Sequence, residues 1–223
     1  METDPFRARR RAQSSSDGGR PQRPEVRSAG WIAAVRTGIE ARVEGRNWWI
    51  RAPVLLVFLW MLRAYGADPM HSSIFDGVNL GFHEAGHAAF SWFGNRILTT
   101  AGGTIFQLAI PVLAGIYLLI KQRDPFGAAV CIFWLGTALV GAGVYAADAR
   151  AQALPLVSPF GPVDVFSHDW TVMLMKFGKL SQDERIGAFL RNSGLTAMAA
   201  SIASGAWILW LMATAGTRRN RSG

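Results

Sequence analysis

The chain has 223 residues, of which 50% are apolar, 17% are charged and 11% are aromatic, and its net charge is +8. One cysteine and four histidines exclude an internal disulfide framework, a zinc site built from several thiolates and a di-iron site that needs many imidazoles. The charged fraction lies below the roughly 25% usual for soluble domains, and the apolar residues come in long blocks, so the composition predicts a membrane protein with a polar tail.

Residues 1–47 are predicted to form a basic cytoplasmic tail. Residues 1–51 contain eleven arginines and six acidic residues, and the stretch 13–24 has almost nothing to bury, so it is predicted to be disordered. Spaced apolar residues over 31–49 indicate a helix at the membrane interface. Arginine beside a first apolar segment is an ordinary topology signal, and no aromatic or lysine-rich interleaving accompanies it, so we expect no binding to nucleic acid.

Five apolar segments follow, each compared with the roughly 20 residues that cross the hydrocarbon core of a bilayer. They cover residues 48–65, 78–93, 105–120, 125–147 and 186–215, and the stretch 163–180 could add a partial sixth. The predicted fold is therefore all-α: a polytopic transmembrane helix bundle of about five to six membrane segments, over residues 48–216. A short basic tail, residues 217–223, ends the chain.

The distribution of Lys and Arg predicts the orientation of this bundle in the inner (cytoplasmic) membrane of a cell. The arginine-rich tail places the N-terminus in the cytoplasm, and the loop 66–76, which has no Lys or Arg, suits the outside. The basic segment 217–223 also favours the cytoplasm, whereas five crossings would put it outside. Either one of the five segments does not cross the membrane, or a sixth segment also crosses it. The segment 78–93 is the weakest candidate for a full crossing.

Small residues are frequent in the fourth and fifth segments, where they are predicted to let helix backbones approach closely. They are Gly136, Gly141, Gly143, Ala199, Ala200, Ser201, Ala203, Ser204 and Gly205.

The second segment contains an HExxH motif, in which His83 and His87 flank Glu84. Side chains four residues apart lie on one face of a helix, so both imidazoles can reach one ion. Ionisable groups at membrane depth cost roughly 2.5 to 3.5 kcal/mol each, a cost that a bound divalent cation would offset. The motif predicts Zn²⁺, with Glu84 as general base and acid on the coordinated water. A histidine pair that only hydrogen-bonds across the bundle is the competing interpretation.

A catalytic zinc site needs a third protein ligand, and three residues qualify. Asp169 is the preferred metal ligand and His168 the next, since both stand at a predicted helix start before an apolar stretch. Whichever of these two residues does not bind the metal would hydrogen-bond to the one that does. Asp148 is the third possibility, but we expect it to pair with Arg150 at the interface. His71 lies in a predicted loop, where a histidine is expected to be solvated.

Other polar and small residues near the motif have plainer interpretations. Asp76 and Asn79 are predicted to cap the motif helix. Gly102 and Gly103 are predicted to form a tight turn between two spans, in preference to an edge that holds substrate by strand addition. For Gln107 the sequence leaves open whether it bonds to a neighbouring helix.

The motif helix within a polytopic bundle, with a distant aspartate as third ligand, resembles the site-2-protease group of intramembrane zinc metalloproteases. This resemblance covers little more than one helix, and it implies hydrolysis of a membrane-protein or peptide substrate by zinc-activated water. The second motif of that group, Leu-Asp-Gly or Asn-Pro-Asp-Gly, does not follow His87.

A wider resemblance, over about Trp49 to Leu211, is to small bacterial membrane proteins that carry an HExxH motif and have no assigned activity. It rests on six groups of residues: His83–His87; Gly102, Gly103 and Gln107; Phe133–Gly136; Tyr145; Asp148–Arg150; and His168–Trp170.

Two functions of different classes fit these features. The first is a membrane-embedded zinc-dependent hydrolase, specifically a peptidase with Glu84 as its general base and acid. The alternative is a non-catalytic zinc-binding protein with a structural or assembly role, which requires a fourth protein ligand. Haem ligation is disfavoured because two histidines one turn apart cannot bind opposite faces of one haem, and no nucleotide-binding fingerprint is present.

Overall fold

The computed structural model describes residues 24–43, 46–154 and 168–221. It contains seven α-helices in these ranges and no strand. They are α1 (Pro24–Val43), α2 (Trp48–Ala67), α3 (Ile74–Ser91), α4 (Arg96–Ile120), α5 (Pro125–Ala147), α6 (Asp169–Lys176) and α7 (Asp183–Arg221), with a 3-10 turn at Leu180–Gln182 before α7. Of the described residues, 24–39 form one compact unit and those from Glu40 onward form a second.

Several predictions for the tail and the loops concern residues outside these ranges. The predicted disorder over 13–24 falls on them except at Pro24, where α1 begins, and so does the first part of the predicted sixth element, 163–167. The helix predicted over 31–49 is present as α1, although it begins earlier and ends at Val43. Its place at the membrane interface stays a prediction.

Four helical segments of the second unit are long and apolar enough to cross a membrane. They are Trp48–Ala67, Arg96–Ile120, Pro125–Ala147 and Leu180–Thr214. Large apolar side chains stand exposed along them, as expected of surfaces that lipid covers: Leu56, Trp60, Leu113, Ile116 and Trp210. The protein is therefore a multi-pass, all-α membrane bundle, as the sequence predicted, and its surroundings are the lipid bilayer.

The helix that carries the motif, α3, is not one of these four segments. It has 18 residues and begins at a capping box, in which the Ser73 hydroxyl accepts the backbone N–H of Phe75 and the Asp76 carboxylate accepts that of Ser73. The predicted capping role of Asp76 is confirmed. That of Asn79 is wrong, because its buried side-chain oxygen instead accepts the indole N–H of Trp134 at 2.8 Å.

Four candidate spans, an even number, would return the chain to the side of the membrane on which the first of them begins. The predicted segment 78–93, most of which lies in α3, is not among the four.

The core of the bundle lies where α2, α5 and α7 meet. Phe58 stacks on Phe133 with 3.8 Å between ring centroids, and Met198 packs beside them. The predicted close approach through small residues is confirmed for α5: a Cβ added to Gly143 would lie 2.7 Å from the backbone oxygen of Gly187. On α7 the closest backbone partners of α5 are Gly187 and Gly194, and Ser201 from the predicted run donates its hydroxyl to the carbonyl oxygen of Ala129.

Candidate metal centre

The side chains of His83, His87 and Asp169 converge on one point in the bundle. The Nε2 atom of His83 lies 2.9 Å from Oδ2 of Asp169, and the Nε2 atom of His87 lies 3.0 Å from the same oxygen. Both histidines come from α3, one turn apart, whereas Asp169 is the first residue of α6, 82 positions beyond His87 in the chain. The structure thus joins the motif to the aspartate that the sequence preferred as the third ligand.

The other ring nitrogen of each histidine, Nδ1, forms a hydrogen bond to a group on the side away from Asp169. Nδ1 of His87 lies 2.8 Å from the backbone carbonyl oxygen of Thr99, which can only accept, so this nitrogen carries the hydrogen. Nδ1 of His83 lies 3.0 Å from Oε1 of Gln107, whose Nε2 donates to the carbonyl oxygen of Ala138 at 3.1 Å. The amide is thereby oriented, and it fixes His83 in the same tautomer.

This arrangement brings three electron-pair donors together. Burial lowers the pKa of His87, but the hydrogen bond and the charge of Asp169 outweigh it and raise this pKa to about 9, so the His87 ring is positively charged and donates its Nε2–H to the carboxylate. Burial alone would raise the pKa of Asp169, but the contacts with His83 and His87 outweigh it and hold this pKa below its ordinary value, so the group is an anion. A divalent cation at this point would replace the proton of His87 and lie between the two Nε2 atoms and the carboxylate oxygen that is within 3.0 Å of each.

The chemistry of the donor set fits zinc. Two imidazole nitrogens and one carboxylate oxygen form a known catalytic ligand set, and ligand distances of about 2.0 Å imply roughly 3.3 Å between neighbouring ligands of a tetrahedron. The observed separations of 2.9 and 3.0 Å are slightly shorter. Histidines anchored through Nδ1 to a carbonyl or amide oxygen are the usual support for such ligands.

The space in front of the two imidazoles exists because residue 103 is glycine. A Cβ added to Gly103 would lie 2.6 Å from Nε2 of His87 and 2.7 Å from Nε2 of His83. Its neighbour Gly102 meets α3 as closely, since a Cβ there would lie 2.8 Å from the backbone oxygen of Gly86. The predicted turn at Gly102 and Gly103 is therefore wrong: both lie inside α4, at the point where it crosses the motif helix.

Replacing Gly103 with alanine should reduce zinc affinity by about 100-fold or more, because the added methyl group occupies the space toward which both Nε2 atoms point, an effect at least as large as that of losing a supporting contact. Competition with a chelator on the detergent-purified variant measures this. Gly81→Ala on α3, where a Cβ meets nothing within 4 Å, is the matched control and should bind zinc as the wild type does. Equal affinity in the Gly103→Ala variant would contradict this account of the site.

Glu84 lies beside the ligands but is not held by them. Ligand atoms of His83, Glu84 and His87 lie within 4.8 Å of one another. The Glu84 side chain is half-buried, and within the described part of the chain its carboxylate makes no hydrogen bond or ion pair. A carboxylate next to the convergence point and without another partner is free to act as a base.

His168, the other predicted ligand, is directed elsewhere. It is the N-cap of α6, and its Nδ1 accepts the backbone N–H of Thr171 at 3.4 Å. Its Nε2 faces Asp148 at 3.6 Å, which is longer than a hydrogen bond. Burial lowers the pKa of His168 more than the charges of Asp148 and Asp169 raise it, so the ring is neutral. Its two ring nitrogens thus face Thr171 and Asp148, and the structure does not bring His168 to the convergence point.

Asp148 also differs from its prediction. It accepts the backbone N–H groups of Ala153 and Leu154 at 2.9 and 3.0 Å, which holds the turn after α5. Arg150, its expected partner, instead pairs with Asp183 at 2.7 Å and with Glu184 at 2.9 Å. Asp148 therefore shapes the loop behind the site.

His71 is half-buried rather than solvated. Its ring packs edge-on against Tyr65, with 5.0 Å between centroids, and its Nε2 is buried without a partner in the described residues.

Comparison of the chain with models of known protein families, with curated proteins and with solved structures gave no match.

Three contributors to the site were missed or left open by the sequence. Gln107 has a role that its polarity within an apolar helix could signal but not define. Thr99 contributes a backbone carbonyl, for which a sequence contains no signal. Tyr145 lies against the site from α5: its hydroxyl accepts the backbone N–H of Asp169 at 3.2 Å. A tyrosine near the end of an apolar helix is ordinary at a membrane interface, so its type does not single it out.

Proposed function

We propose that this chain is a membrane-embedded, zinc-dependent hydrolase that cleaves peptide bonds. The observation that supports this proposal is the convergence of His83, His87 and Asp169, with both imidazoles anchored through Nδ1 and with Glu84 beside them. A bound zinc ion supplies a Lewis acid that polarises a carbonyl and lowers the pKa of water to about 7.

In this proposal, different residues of the chain bind the metal, orient its ligands and transfer the proton. His83, His87 and Asp169 hold the ion, while Gln107 and the carbonyl of Thr99 keep the two rings in the ligating tautomer. Glu84 takes the proton from the attacking water and delivers it to the leaving amine. Its freedom from ion pairs in the described residues suits this exchange, since a carboxylate held by a cation is a weaker base.

The proposed substrate is a membrane protein or a peptide, because the site lies in a bundle that lipid surrounds. We place the protein in the inner membrane of a bacterial cell with its N-terminus in the cytoplasm. Basic residues precede the first and follow the last of the four candidate spans in the chain, and this arrangement supports the orientation.

The alternative of a purely structural zinc site is less well supported. It requires four protein ligands. The three converging side chains leave a fourth position, and His168, which could have filled it, faces Asp148 instead. Among the described residues, only the half-buried Glu84 remains close enough to contribute.

Removal of zinc tests the proposal. Detergent-purified protein should contain one zinc ion per chain and hydrolyse dye-labelled casein. Treatment with a chelator should abolish both, and added zinc should restore both in proportion. The structural alternative predicts stoichiometric zinc without hydrolysis, and in that case removal of the metal would lower the melting temperature and change nothing else. Absence of bound zinc would contradict both functions.

A further inference from the structure

Tyr145 is a polar side chain on α5 that approaches the centre and is neither a proposed ligand nor the proposed base. Its ring lies edge-on to the ring of His83, with 6.0 Å between centroids, and packs against the ring of His168 at 4.2 Å. Its oxygen accepts the backbone N–H of Asp169 at 3.2 Å. The residue that it contacts is thus the one whose carboxylate touches both imidazoles.

The hydroxyl of Tyr145 accepts one hydrogen bond, and its O–H remains available to donate another. A phenol both accepts and donates a hydrogen bond. The backbone N–H of Asp169 occupies the accepting side, and within the described residues the O–H donates no hydrogen bond. The ring is half-buried and packs against the rings of two histidines, which restricts its position. A donor without an acceptor next to a cation site is suited to an anionic oxygen.

We infer that Tyr145 is a catalytic residue that donates its O–H to the oxyanion formed from the substrate carbonyl. This inference rests on the proposed hydrolase function. When the oxygen of water bonds to the carbonyl carbon, the π electrons of the carbonyl move to its oxygen, and Glu84 holds the proton that the water has lost. Tyr145 keeps its own proton and stabilises the new negative charge by a hydrogen bond, and this stabilisation ends when the carbon–nitrogen bond breaks and the carbonyl reforms.

A purely structural role for the same hydroxyl makes a different prediction. If its only task is to accept the N–H of Asp169, loss of the oxygen would loosen the start of α6, and zinc affinity would fall with it. A donor to the oxyanion affects turnover and the binding of anionic oxygen ligands, while zinc stays bound. Metal content therefore separates the two roles.

Tyr145→Phe is the variant that tests the inference, because it keeps the ring contacts with His83 and His168 and removes only the oxygen. Tyr117→Phe is the matched control, since Tyr117 is exposed on α4, where its oxygen accepts a bond from Gln122. We expect one zinc ion per chain in the wild type and both variants. Hydrolysis of dye-labelled casein should fall roughly 10²- to 10³-fold in kcat for Tyr145→Phe, the usual loss for one oxyanion donor, and stay unchanged for Tyr117→Phe.

A second readout does not depend on turnover. The cobalt-substituted protein should change its visible spectrum on titration with acetohydroxamate, a small ligand that presents two oxygens to a metal. Tyr145→Phe should raise the Kd of acetohydroxamate by about tenfold, since one hydrogen bond to a charged oxygen is lost, and Tyr117→Phe should not change it.

The results that would overturn the inference are distinct from those that would overturn the function. Loss of zinc from Tyr145→Phe, or wild-type values for its turnover or its acetohydroxamate Kd, would exclude an oxyanion donor and leave the hydrolase function standing. A zinc-loaded wild-type protein that hydrolyses nothing would remove the function, and the catalytic role of Tyr145 with it.

Discussion

Replacing Glu84 with glutamine should leave one zinc ion per chain and reduce casein hydrolysis by roughly 10²- to 10⁴-fold, the range that a general acid and base contributes. Glutamine has the size and shape of glutamate, but its amide cannot take a proton from water at neutral pH. Since the convergence point is formed by His83, His87 and Asp169, the metal does not depend on residue 84. Zinc analysis and initial rates, measured on the same preparation, check both parts.

Glu184→Gln is the control for this variant. Glu184 is exposed at the start of α7, where it pairs with Arg150, so it carries the same chemical change outside the site. Its zinc content and turnover should equal those of the wild type. Full turnover by Glu84→Gln would mean that another group acts as the base. Loss of zinc from it would make Glu84 a ligand and would favour the structural function.

The membrane helices could be predicted from the sequence because span length and hydropathy are local properties. Four of the five predicted segments correspond to long apolar helices. The fifth, 78–93, was the weakest of the five as a span, and the helix that contains it, α3, is not among the four candidates. Its polar face contacts other helices, and such contacts are not a local property of the sequence. Asn79 illustrates this: its partner Trp134 is 55 residues away, and no local pattern could reveal that contact.

Gly102 and Gly103 show why a glycine pair is ambiguous in a sequence. The residue type permits a turn, and it equally permits two helices to touch. Only the position of the motif helix across α4 decides between them, since Gly102 faces the backbone of Gly86 and Gly103 faces the imidazoles. The sequence therefore contained the two halves of the site without showing that they meet.

From the sequence, the preferred candidates for the third metal ligand could be reduced to two neighbouring residues, but the sequence could not decide between them. His168 and Asp169 stand at the N-cap and first position of α6, and successive residues at a helix start point in different directions. Which of them faces α3 depends on the rotation of α6 about its own axis. Tyr145 contacts the start of α6 through the N–H of Asp169, and the turn after α5 contacts it through the bonds of Thr171 to Ala149 and Gln152; both precede α6 by 15 residues or more.

Replacing Asp169 with alanine should remove stoichiometric zinc. Two anchored imidazoles remain, but the anion that balances the charge of the cation is gone, and the loss of affinity should exceed the 10- to 100-fold typical of a supporting residue. Metal analysis after dialysis against a weak chelator measures the loss. The melting temperature of the variant, compared with that of the zinc-free wild type, shows whether the bundle itself remains folded.

Two further variants test the ligands that the sequence offered instead. His168→Asn removes an imidazole but keeps a side chain that can cap α6, and Asp148→Asn keeps an oxygen that can accept from the turn after α5. Both should retain one zinc ion per chain, because their side chains face each other and not the histidine pair. Loss of zinc from either one, with zinc retained by Asp169→Ala, would reverse the assignment. The Asp169 carboxylate would then be only a hydrogen-bond partner of the two imidazoles.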